Sequence, residues 1–305
     1  MNCIDYSIII PHKNIPELLQ RCINSIPQRD DLEIIVVDNN SSPELVDFDH
    51  FPGKNRPDVV MVRDNESKGA GGARNTGVSI AKGRWILFID ADDVFNDCIN
   101  QILDDYKSVT DCDIVYFDSL FLSSINPYVE MNVKSGIQHV IELYENDPET
   151  AEKLLRYRFF YPWGKLINRL LLSSGEVFFE DSIIMNDVVF SYRLGYYAKK
   201  IIVDVRKAQS IIARHNSVSR NQSVASYLER IRIKTEAECF YKGHSIPLSY
   251  LEYNNYLFFF KMILKYPLSF LKGIDVIHRA GKGYGQIIAE LPYAGCWLLW
   301  RKIVK

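Results

Sequence analysis

Three short apolar runs, each followed directly by a polar cluster, constrain the fold of this chain more than any other feature of its sequence. The runs and the clusters after them are 7–10 with 11–14, 33–37 with 38–42, and 85–89 with 90–93. Helical periodicity fills the intervals, as in residues 19–26. Continuous apolar strands joined by helices predict an α/β fold with a mostly parallel sheet covered on both faces. Because ligands of such sheets bind beyond the carboxyl ends of the strands, we expect the three polar clusters to form one site.

The charge of the chain is unevenly distributed. Its 305 residues carry 36 Lys and Arg against 38 Asp and Glu, a net charge of −2 that excludes a dedicated nucleic-acid binder. Residues 226–305 hold 12 basic and 6 acidic side chains, and the rest of the chain holds 24 basic and 32 acidic. This basic segment also has aromatic clusters at 256–260 and 297–302, a pattern typical of contact with a membrane surface. Packing against the body of the protein and a homodimer interface are the alternatives.

The cysteines and apolar segments bear on the compartment of the protein. The six cysteines are widely spaced and form no Cys-x-x-Cys pair, so neither a zinc site nor a thioredoxin-like motif is predicted. The sequence shows no secretory signal pattern, and no apolar run reaches the roughly 18 residues that a spanning helix needs. We therefore expect a cytoplasmic protein, with peripheral attachment to the inner face of the plasma membrane as an option.

Residues 90–93, Asp-Ala-Asp-Asp, concentrate negative charge directly after an apolar strand. Three carboxylates in four residues repel one another unless a cation compensates them, and oxygen-only ligands suit Mg²⁺ or Mn²⁺ bridging phosphates. Alternatively, Asp92 or Asp93 caps a helix that carries Phe95 and Ile99. The two interpretations are compatible, because a cap needs only one of the carboxylates.

A glycine-rich stretch, residues 68–77, leads into a predicted helix from about Gly72 to Ala81. Its amides and Arg74 are candidates to face a diphosphate. The stretch lacks the Gly-Lys-Ser/Thr of a phosphate-binding loop, and its spacing does not fit a dinucleotide fingerprint. A flexible turn with a surface arginine is the equal alternative.

Taken together, these stretches resemble the inverting glycosyltransferases of family 2, which have the GT-A fold. The matching residues are Ser7–Pro11 with Asn14, Glu33–Ser41, Gly69–Gly77, Ala81–Gly83 and Phe88–Asp93. The resemblance covers about residues 5–220. It implies a Rossmann-like, mixed but mostly parallel sheet flanked by helices over residues 1–225, with a nucleotide-sugar-binding half (1–118) and an acceptor and catalytic half (119–225). Residues 226–305 would form a mainly helical extension.

The resemblance implies a donor site in the first half. The residues that would contact the nucleotide of a nucleotide-diphosphate sugar, with a UDP-sugar favoured, are Pro11, Asn14, Asp38, Asn39, Arg74, Asp90 and Ala91. Asp90 and Asp92 form the family's Asp-x-Asp motif and would hold the ribose and a Mn²⁺ or Mg²⁺ ion, with His215 as a further candidate ligand. The chain departs from the family at Asn39, where many members have a second aspartate, and this puts the preference for the base in doubt.

The second half would supply the catalytic base. The stretch from Phe179 to Phe190 resembles the family segment whose Glu-Asp pair precedes a helix, with Asn186 in place of the glutamate. Inversion requires one carboxylate to take the proton of the attacking hydroxyl, and the resemblance gives this role to Asp187, with a helix cap as the alternative. Auxiliary residues on the acceptor side are Trp163, Lys165, Glu180 and Arg220. Trp163 would stack on a sugar face, with a core tryptophan as the equal alternative.

These implications together describe a metal-dependent inverting glycosyltransferase acting on a saccharide hydroxyl. The basic, aromatic segment 226–305 suggests that the acceptor is carried on a membrane lipid, which by resemblance means assembly of bacterial capsule, exopolysaccharide or lipopolysaccharide. One alternative is a sugar nucleotidyltransferase, although residues 10–14 lack the usual glycine-rich basic signature. The other is a non-catalytic nucleotide-sugar or glycan-binding protein, against which the retention of Asp90, Asp92 and Asp187 argues.

Overall fold

The computed structural model describes residues 3–123, 136–213, 222–251 and 255–303, without the side chains of residues 136 and 295–303. The chain divides into two compact units, Met1–Asn216 and Ser217–Lys305. This division falls earlier than the boundary expected at residue 225. The first helix of the second unit begins at Val224 and is capped by Ser223, whose side chain accepts a hydrogen bond from the Ser226 amide.

Eight strands in the described part of the chain form one mixed sheet in the first unit. They are β1 (Tyr6–His12), β2 (Leu32–Asp38), β3 (Val59–Arg63), β4 (Trp85–Phe88), β5 (Val94–Phe95), β6 (Ile114–Ser123), β7 (Lys165–Asn168) and β8 (Ile201–Ala213). Their order is β3-β2-β1-β4-β7-β6-β8-β5, with β7 and β5 antiparallel to their neighbours. The predicted mostly parallel sheet is confirmed.

Helices cover both faces of this sheet. They are α1 (Pro16–Asn24), α2 (Gly69–Ile80), α3 (Ile99–Tyr106), α4 (Gly136–Tyr144), α5 (Pro148–Tyr157), α6 (Arg169–Leu172) and α7 (Asn186–Tyr197). Ile8 and Ile10 of β1 pack in the core that includes α1 and α3, whereas Ile9 packs in the core that includes α2, α5 and α7. Burial on both faces explains why the central strands are apolar without alternation.

The register of the sheet brings the three polar clusters to one edge. His12, at the end of β1, pairs with Asp38 at the end of β2, and Ile9 pairs with Phe88 of β4. Residues 11–14, 38–42 and 90–93 therefore follow adjacent parallel strands at their carboxyl ends. This is the arrangement expected from the sequence.

The segment after the acidic cluster differs from its prediction. Phe95 belongs to the short strand β5, which pairs with β8, and α3 begins only at Ile99, without a side-chain cap. The interpretation of Asp92 or Asp93 as the cap of this helix is therefore wrong. A two-residue strand is too short to show a periodicity of its own, so its apolar residue merges with the pattern of the following helix.

The second unit is mainly helical, as expected. Its helices are α8 (Val224–Gly243), α9 (Asn255–Lys265), α10 (Phe270–Arg279) and α11 (Tyr284–Ile303). Tyr256 and Phe259 are almost fully buried in its core, and Phe258 and Phe260 pack against that core while partly buried, so the aromatic cluster at 256–260 contributes to packing. The side chains of the other cluster, 297–302, lie outside the described residues. None of the described helices is both long enough and apolar enough to cross a membrane.

Candidate active site

A buried pair between His12 and Asp38 joins the carboxyl ends of β1 and β2. His12 Nδ1 lies 2.8 Å from Asp38 Oδ2, and His12 Nε2 accepts a hydrogen bond from the Ile15 amide. The imidazole is therefore the neutral tautomer that carries its proton on Nδ1. Burial opposes ionisation of Asp38, but hydrogen bonds from His12 and Ser41 outweigh it and hold the pKa of this carboxyl below its ordinary value. Asp38 is thus an ionised and fixed carboxylate.

Two asparagines fasten the loops at the same edge. Asn14 has a positive φ of 59°, and its Oδ1 accepts a hydrogen bond of 2.7 Å from the Ser42 amide. Asn39 Nδ2 donates to the Ser67 carbonyl at 2.9 Å, in the loop that leads into α2. An aspartate at position 39 has no proton to donate there. In this structure the departure from the family pattern gives the α2 loop a hydrogen-bond donor.

The acidic turn after β4 gathers three carboxylates. Oxygens of Asp90, Asp92 and Asp93 all lie within 4.8 Å of one another. Asp93 is buried and its Oδ1 accepts a hydrogen bond of 2.8 Å from the Ile212 amide of β8. Burial, and then the charges of Asp90 and Asp92, raise the pKa of Asp93 well above its ordinary value. An oxygen-only set in which Asp90 and Asp92 remain partly exposed fits a hard divalent cation.

Arg74 of α2 connects this turn to the second half of the unit. Its Nη2 lies 2.5 Å from Asp90 Oδ1, and its Nη1 donates to Asn186 Oδ1 at 3.2 Å. The residue is 4% exposed, and its guanidinium lies 5.3 Å from the ring centre of Phe179. The alternative of a surface arginine on a flexible turn is therefore wrong. Arg74 holds a metal-binding candidate and the neighbour of Asp187 at the same time.

The glycine-rich start of α2 packs closely on the segment 179–186. Asn75 donates to the Phe179 carbonyl at 2.8 Å and accepts from the Phe179 amide at 3.0 Å. The Lys68 amide donates to Asp181. A Cβ added at Gly71 would lie 2.6 Å from the Asn186 Cβ and would also collide with the Glu180 carbonyl oxygen. The glycines thus permit close contact between α2 and the segment 179–186. The Lys68 amide, which the sequence suggested as a contact of a diphosphate, donates to the Asp181 carboxylate in this conformation.

Asp187 lies in the first turn of α7, and its backbone neighbours fix it there. The cap position of α7 is occupied by Met185, which has a positive φ of 52° and makes no side-chain cap. Asp187 is the second residue inside the helix, so its interpretation as the helix cap is wrong. Asp187 is partly buried. Burial raises its pKa against the opposing charge of Arg74, and the Asp90 charge raises it further. A carboxylate with a raised pKa has the properties of a general base.

Lys165 of β7 is a buried lysine whose charge interacts with that of Asp187. It is 1% exposed, its Nζ donates to the Tyr161 carbonyl, and it lies 4.3 Å from the ring centre of Phe159 and 5.5 Å from that of Tyr116. Burial lowers the pKa of Lys165 to about 7, and the charge of Asp187 opposes the shift. The ammonium is held by a carbonyl and two aromatic faces.

Trp163 is a core residue in this structure. Its side chain is 4% exposed, stacked on Tyr161 at 4.5 Å and in edge contact with Phe159 and Phe121. These contacts favour the core interpretation over stacking on a sugar. Tyr161, which is 47% exposed, presents the aromatic surface of this cluster to solvent.

The remaining predicted site residues lie in the core, in the segment before α7, or outside the described residues. Pro11 is buried in β1, and Ala91 is 2% exposed in the core, so either would contact a nucleotide through its backbone. Glu180 is partly buried, and its amide donates to the Asn186 carbonyl at 3.1 Å. His215 and Arg220 lie outside the described residues.

Sequence reasoning missed two contributors to the site. Neither His12 nor Asn75 is among the site residues predicted from the sequence, yet the side chain of each makes two hydrogen bonds that hold the site together. The place of His12 opposite Asp38 follows from the register of β1 with β2. A sequence shows where strands lie but not how they are offset.

The sequence of this chain matches a known protein family. The profile of Glycosyl transferase family 2 matches residues 7–169 of this chain, more than half of its length. The chain belongs to glycosyltransferase family 2. This membership removes the support for the sugar nucleotidyltransferase alternative.

Individual relatives agree with this membership. The chain is 24% identical to the glycosyltransferase GlyG of Streptococcus pneumoniae over 85% of its own length and 89% of that protein. It is 34% identical, over 29% of its length, to a PGL/p-HBAD biosynthesis glycosyltransferase of Mycobacterium bovis, of whose length it spans about a third (35%). The crystal structure of S. aureus TarS residues 1–349 with UDP-GlcNAc superposes with a TM-score of 0.65 at 18% identity, covering 92% of this chain and 82% of that one. The GT-A fold expected from the sequence is thereby confirmed.

Proposed function

We propose that this glycosyltransferase is a metal-dependent inverting enzyme that transfers a sugar from a nucleotide-diphosphate sugar to a saccharide hydroxyl. The observation that carries the proposal is the position of Arg74. One of its nitrogens binds Asp90 of the acidic turn, and another binds Asn186, the residue before Asp187. The candidate metal ligands and the candidate base therefore lie on two sides of one buried side chain.

In the proposed mechanism, Asp187 acts on the acceptor and the other aspartates act on the donor. Asp187 accepts the proton of the acceptor hydroxyl while that oxygen bonds to the anomeric carbon from the face opposite the diphosphate. The bond between the anomeric carbon and the diphosphate oxygen breaks, and the configuration inverts. Asp90 and Asp92 would hold the divalent cation, Mn²⁺ or Mg²⁺, which when bound neutralises the charge of the leaving diphosphate. Asp38 would be available to the ribose.

The raised pKa of Asp187 supports its role in this mechanism. A base whose pKa lies nearer the working pH takes a proton more readily than an ordinary aspartate does. The structure contains both influences that set this pKa, namely burial, which raises it, and the Arg74 charge, which lowers it. Arg74 thereby limits how far burial raises the pKa of Asp187.

The donor and acceptor are proposed from the relatives. TarS was solved with UDP-GlcNAc, and the mannosyltransferase PcManGT of Pyrobaculum calidifontis with GDP-Man and Mn²⁺. We favour a UDP-sugar as the donor. The mycobacterial relative carries the name of a PGL/p-HBAD biosynthesis enzyme, and a Bacillus relative that of a poly(ribitol-phosphate) glucosyltransferase, which supports surface polysaccharide or glycolipid assembly on a lipid-linked acceptor. Such an acceptor would place the enzyme at the cytoplasmic face of the membrane.

The test compares two carboxylates of the acceptor segment. Asp187→Asn should lower kcat by roughly 10²–10⁴-fold, because a positioned base is lost. Its affinity for the nucleotide should stay near that of the wild type, because Asp187 faces the acceptor. Glu180→Gln is the matched control and should lose far less. The donor is found first, by thermal shift with a panel of nucleotide-sugars and Mn²⁺, since a ligand of the native state raises the Tm.

Two outcomes would contradict the proposal. Full activity of Asp187→Asn together with loss of activity in Glu180→Gln would assign the base to Glu180. Retention of the anomeric configuration in the product would exclude the inverting mechanism. Release of nucleoside diphosphate, and not pyrophosphate, is the expected product pattern.

A further inference from the structure

The turn between α9 and α10 exposes apolar side chains to an unusual degree. Leu268 is 99% exposed, Leu264 is 77% exposed and Leu271 is 76% exposed, and Phe270 beside them is 42% exposed. We call residues 264–271 the leucine turn. Large apolar side chains of soluble proteins are seldom fully exposed together, and such a patch marks an interaction surface.

The backbone of the leucine turn is held in place, so the leucines project because of the fold. The Ser269 amide donates to the Tyr266 carbonyl at 3.0 Å, and the Tyr266 hydroxyl donates to the Gln222 carbonyl at 3.2 Å. Ser269 is itself buried. On the inner side, the rings of Phe270 and Phe259 are in edge contact at 5.5 Å, which anchors the turn to the core of the second unit.

The charged side chains of the segment 255–274, which contains the leucine turn, are all of one sign. From residue 255 to residue 274 the chain has three lysines, Lys261, Lys265 and Lys272, and no aspartate or glutamate. All three lysines are exposed. Each basic side chain near an anionic membrane surface strengthens binding by about fivefold, and exposed leucines add to this by leaving water.

We propose that the leucine turn inserts into an anionic lipid bilayer, with Leu264, Leu268 and Leu271 entering the interface and the three lysines contacting lipid headgroups. A second copy of the chain fits these observations less well. A twofold interface centred on the turn would bring the same lysines of both copies together, and like charges repel. An anionic bilayer complements both features, because its interior accepts the leucines and its headgroups attract the lysines.

This inference deepens the membrane contact proposed above for an enzyme with a lipid-linked acceptor, and it names the contact surface. The sequence directed attention to the aromatic clusters instead, because aromatic residues beside basic ones are typical of interfacial helices. In the first cluster, however, Tyr256 and Phe259 are buried and none of the other rings is fully exposed. The three leucines could not be predicted to be exposed, because spacing alone does not show which face of a helix a neighbouring helix covers.

The experiment is co-sedimentation of the full chain with vesicles of phosphatidylcholine alone and with added phosphatidylglycerol. The wild type should bind the anionic vesicles, less so at high salt, because salt screens exposed charges. Leu268→Asp should weaken binding by roughly tenfold or more, since it removes an inserted side chain and adds a repelled charge. Replacing the three lysines with glutamine should weaken it by a similar or larger factor. Leu170→Asp is the matched control, because Leu170 is 74% exposed in the first unit, and it should bind like the wild type.

Three results would overturn the inference. Wild-type protein that stays in the supernatant with anionic vesicles would exclude bilayer insertion. Equal binding by Leu268→Asp and the wild type would place the contact elsewhere. A wild-type dimer in gel filtration that Leu268→Asp converts to a monomer would assign the turn to a second copy. A Tm and a circular dichroism spectrum like those of the wild type show that Leu268→Asp is folded, and nucleotide binding, which belongs to the first unit, leaves the transferase proposal to be judged separately.

Discussion

Replacing Lys165 with methionine is expected to stabilise the protein near neutral pH while shifting the pH dependence of its activity. Lys165 is 1% exposed, and in the described part of the chain its ammonium is held by the Tyr161 carbonyl and two aromatic rings. A buried charge without a close counter-ion reduces stability. Methionine has a similar length and no charge, so it removes this cost while filling the same space.

The size of the effect follows from the pKa of Lys165, which burial lowers from 10.5 to about 7. The unfolded lysine binds its proton up to about pH 10.4, whereas the folded one loses it near pH 7. Stability rises with pH wherever the unfolded state binds more protons, so the cost is fully present below pH 7 and fades as the pH approaches 10. At 1.36 kcal/mol for each unit of pKa, the cost below pH 7 is roughly 5 kcal/mol.

The methionine variant also loses one contact, which reduces the gain. Its side chain cannot donate to the Tyr161 carbonyl, and an unsatisfied polar group costs about 1–3 kcal/mol. We therefore expect Lys165→Met to be more stable than the wild type by roughly 2–4 kcal/mol near pH 6.5, and to lose this advantage by about pH 10. The assay is urea unfolding of both proteins across this pH range. Lys82→Met, at an exposed lysine of the same unit, is the control and should differ from the wild type by the same amount at every pH.

The activity of the same variant tests the link to Asp187. The Lys165 charge lowers the pKa of Asp187, so its removal should raise that pKa and move the acidic limb of the kcat/KM profile to higher pH. A stability difference that does not change with pH would refute the reasoning about the buried charge. An unchanged acidic limb would refute the electrostatic link between Lys165 and Asp187.

Two further predictions concern the donor side and the contact between the two halves. Asp92→Asn should abolish the effect of Mn²⁺ on nucleotide binding, because it removes a ligand from the acidic turn. The affinity is measured by calorimetry with Mn²⁺ and with a chelator. If the wild type binds the nucleotide equally well in both conditions, the metal assignment is contradicted. Gly71→Ala should lower stability by about 1–3 kcal/mol and reduce kcat more than donor affinity, because its Cβ would lie 2.6 Å from the Asn186 Cβ and push α7 away. Gly243→Ala, where an added Cβ has no neighbour within 4 Å among the described residues, is the control, and equal Tm values for the two variants would speak against the close contact.

The strands, and the edge of the sheet at which the polar clusters meet, could be predicted from the sequence because each depends on local pattern. β1, β2 and β4 are continuous apolar runs buried on both faces, and the chain order of the clusters after them leads to one edge of a parallel sheet. The family resemblance added the assignment of Asp90, Asp92 and Asp187, which no periodicity contains. The roles given to these residues remain predictions.

The contacts that hold the site together could not be predicted, because they join residues far apart in the chain. Arg74 and Asn186 are separated by 112 positions, and Lys68 and Asp181 by 113. Their meeting depends on how α2 packs against the segment before α7, and this packing depends in turn on the space left at Gly71. The sequence indicated a glycine-rich loop, and only the fold shows that its glycines face protein.

The two positions at which this chain has an amide in place of a family carboxylate follow one physical logic. Asn39 donates to the Ser67 carbonyl, and Asn186 accepts from Arg74 while its own Nδ2 donates to the Ser182 carbonyl at 3.2 Å. Carboxylates at these positions could accept but not donate, and each would add negative charge to a site that already holds five aspartates, Asp38, Asp90, Asp92, Asp93 and Asp187. A glutamate at position 186 would also compete with Asp90 for the charge of Arg74. The neutral amide leaves that charge to Asp90 and Asp187, so the departure from the family pattern at 186 is consistent with a working base at 187.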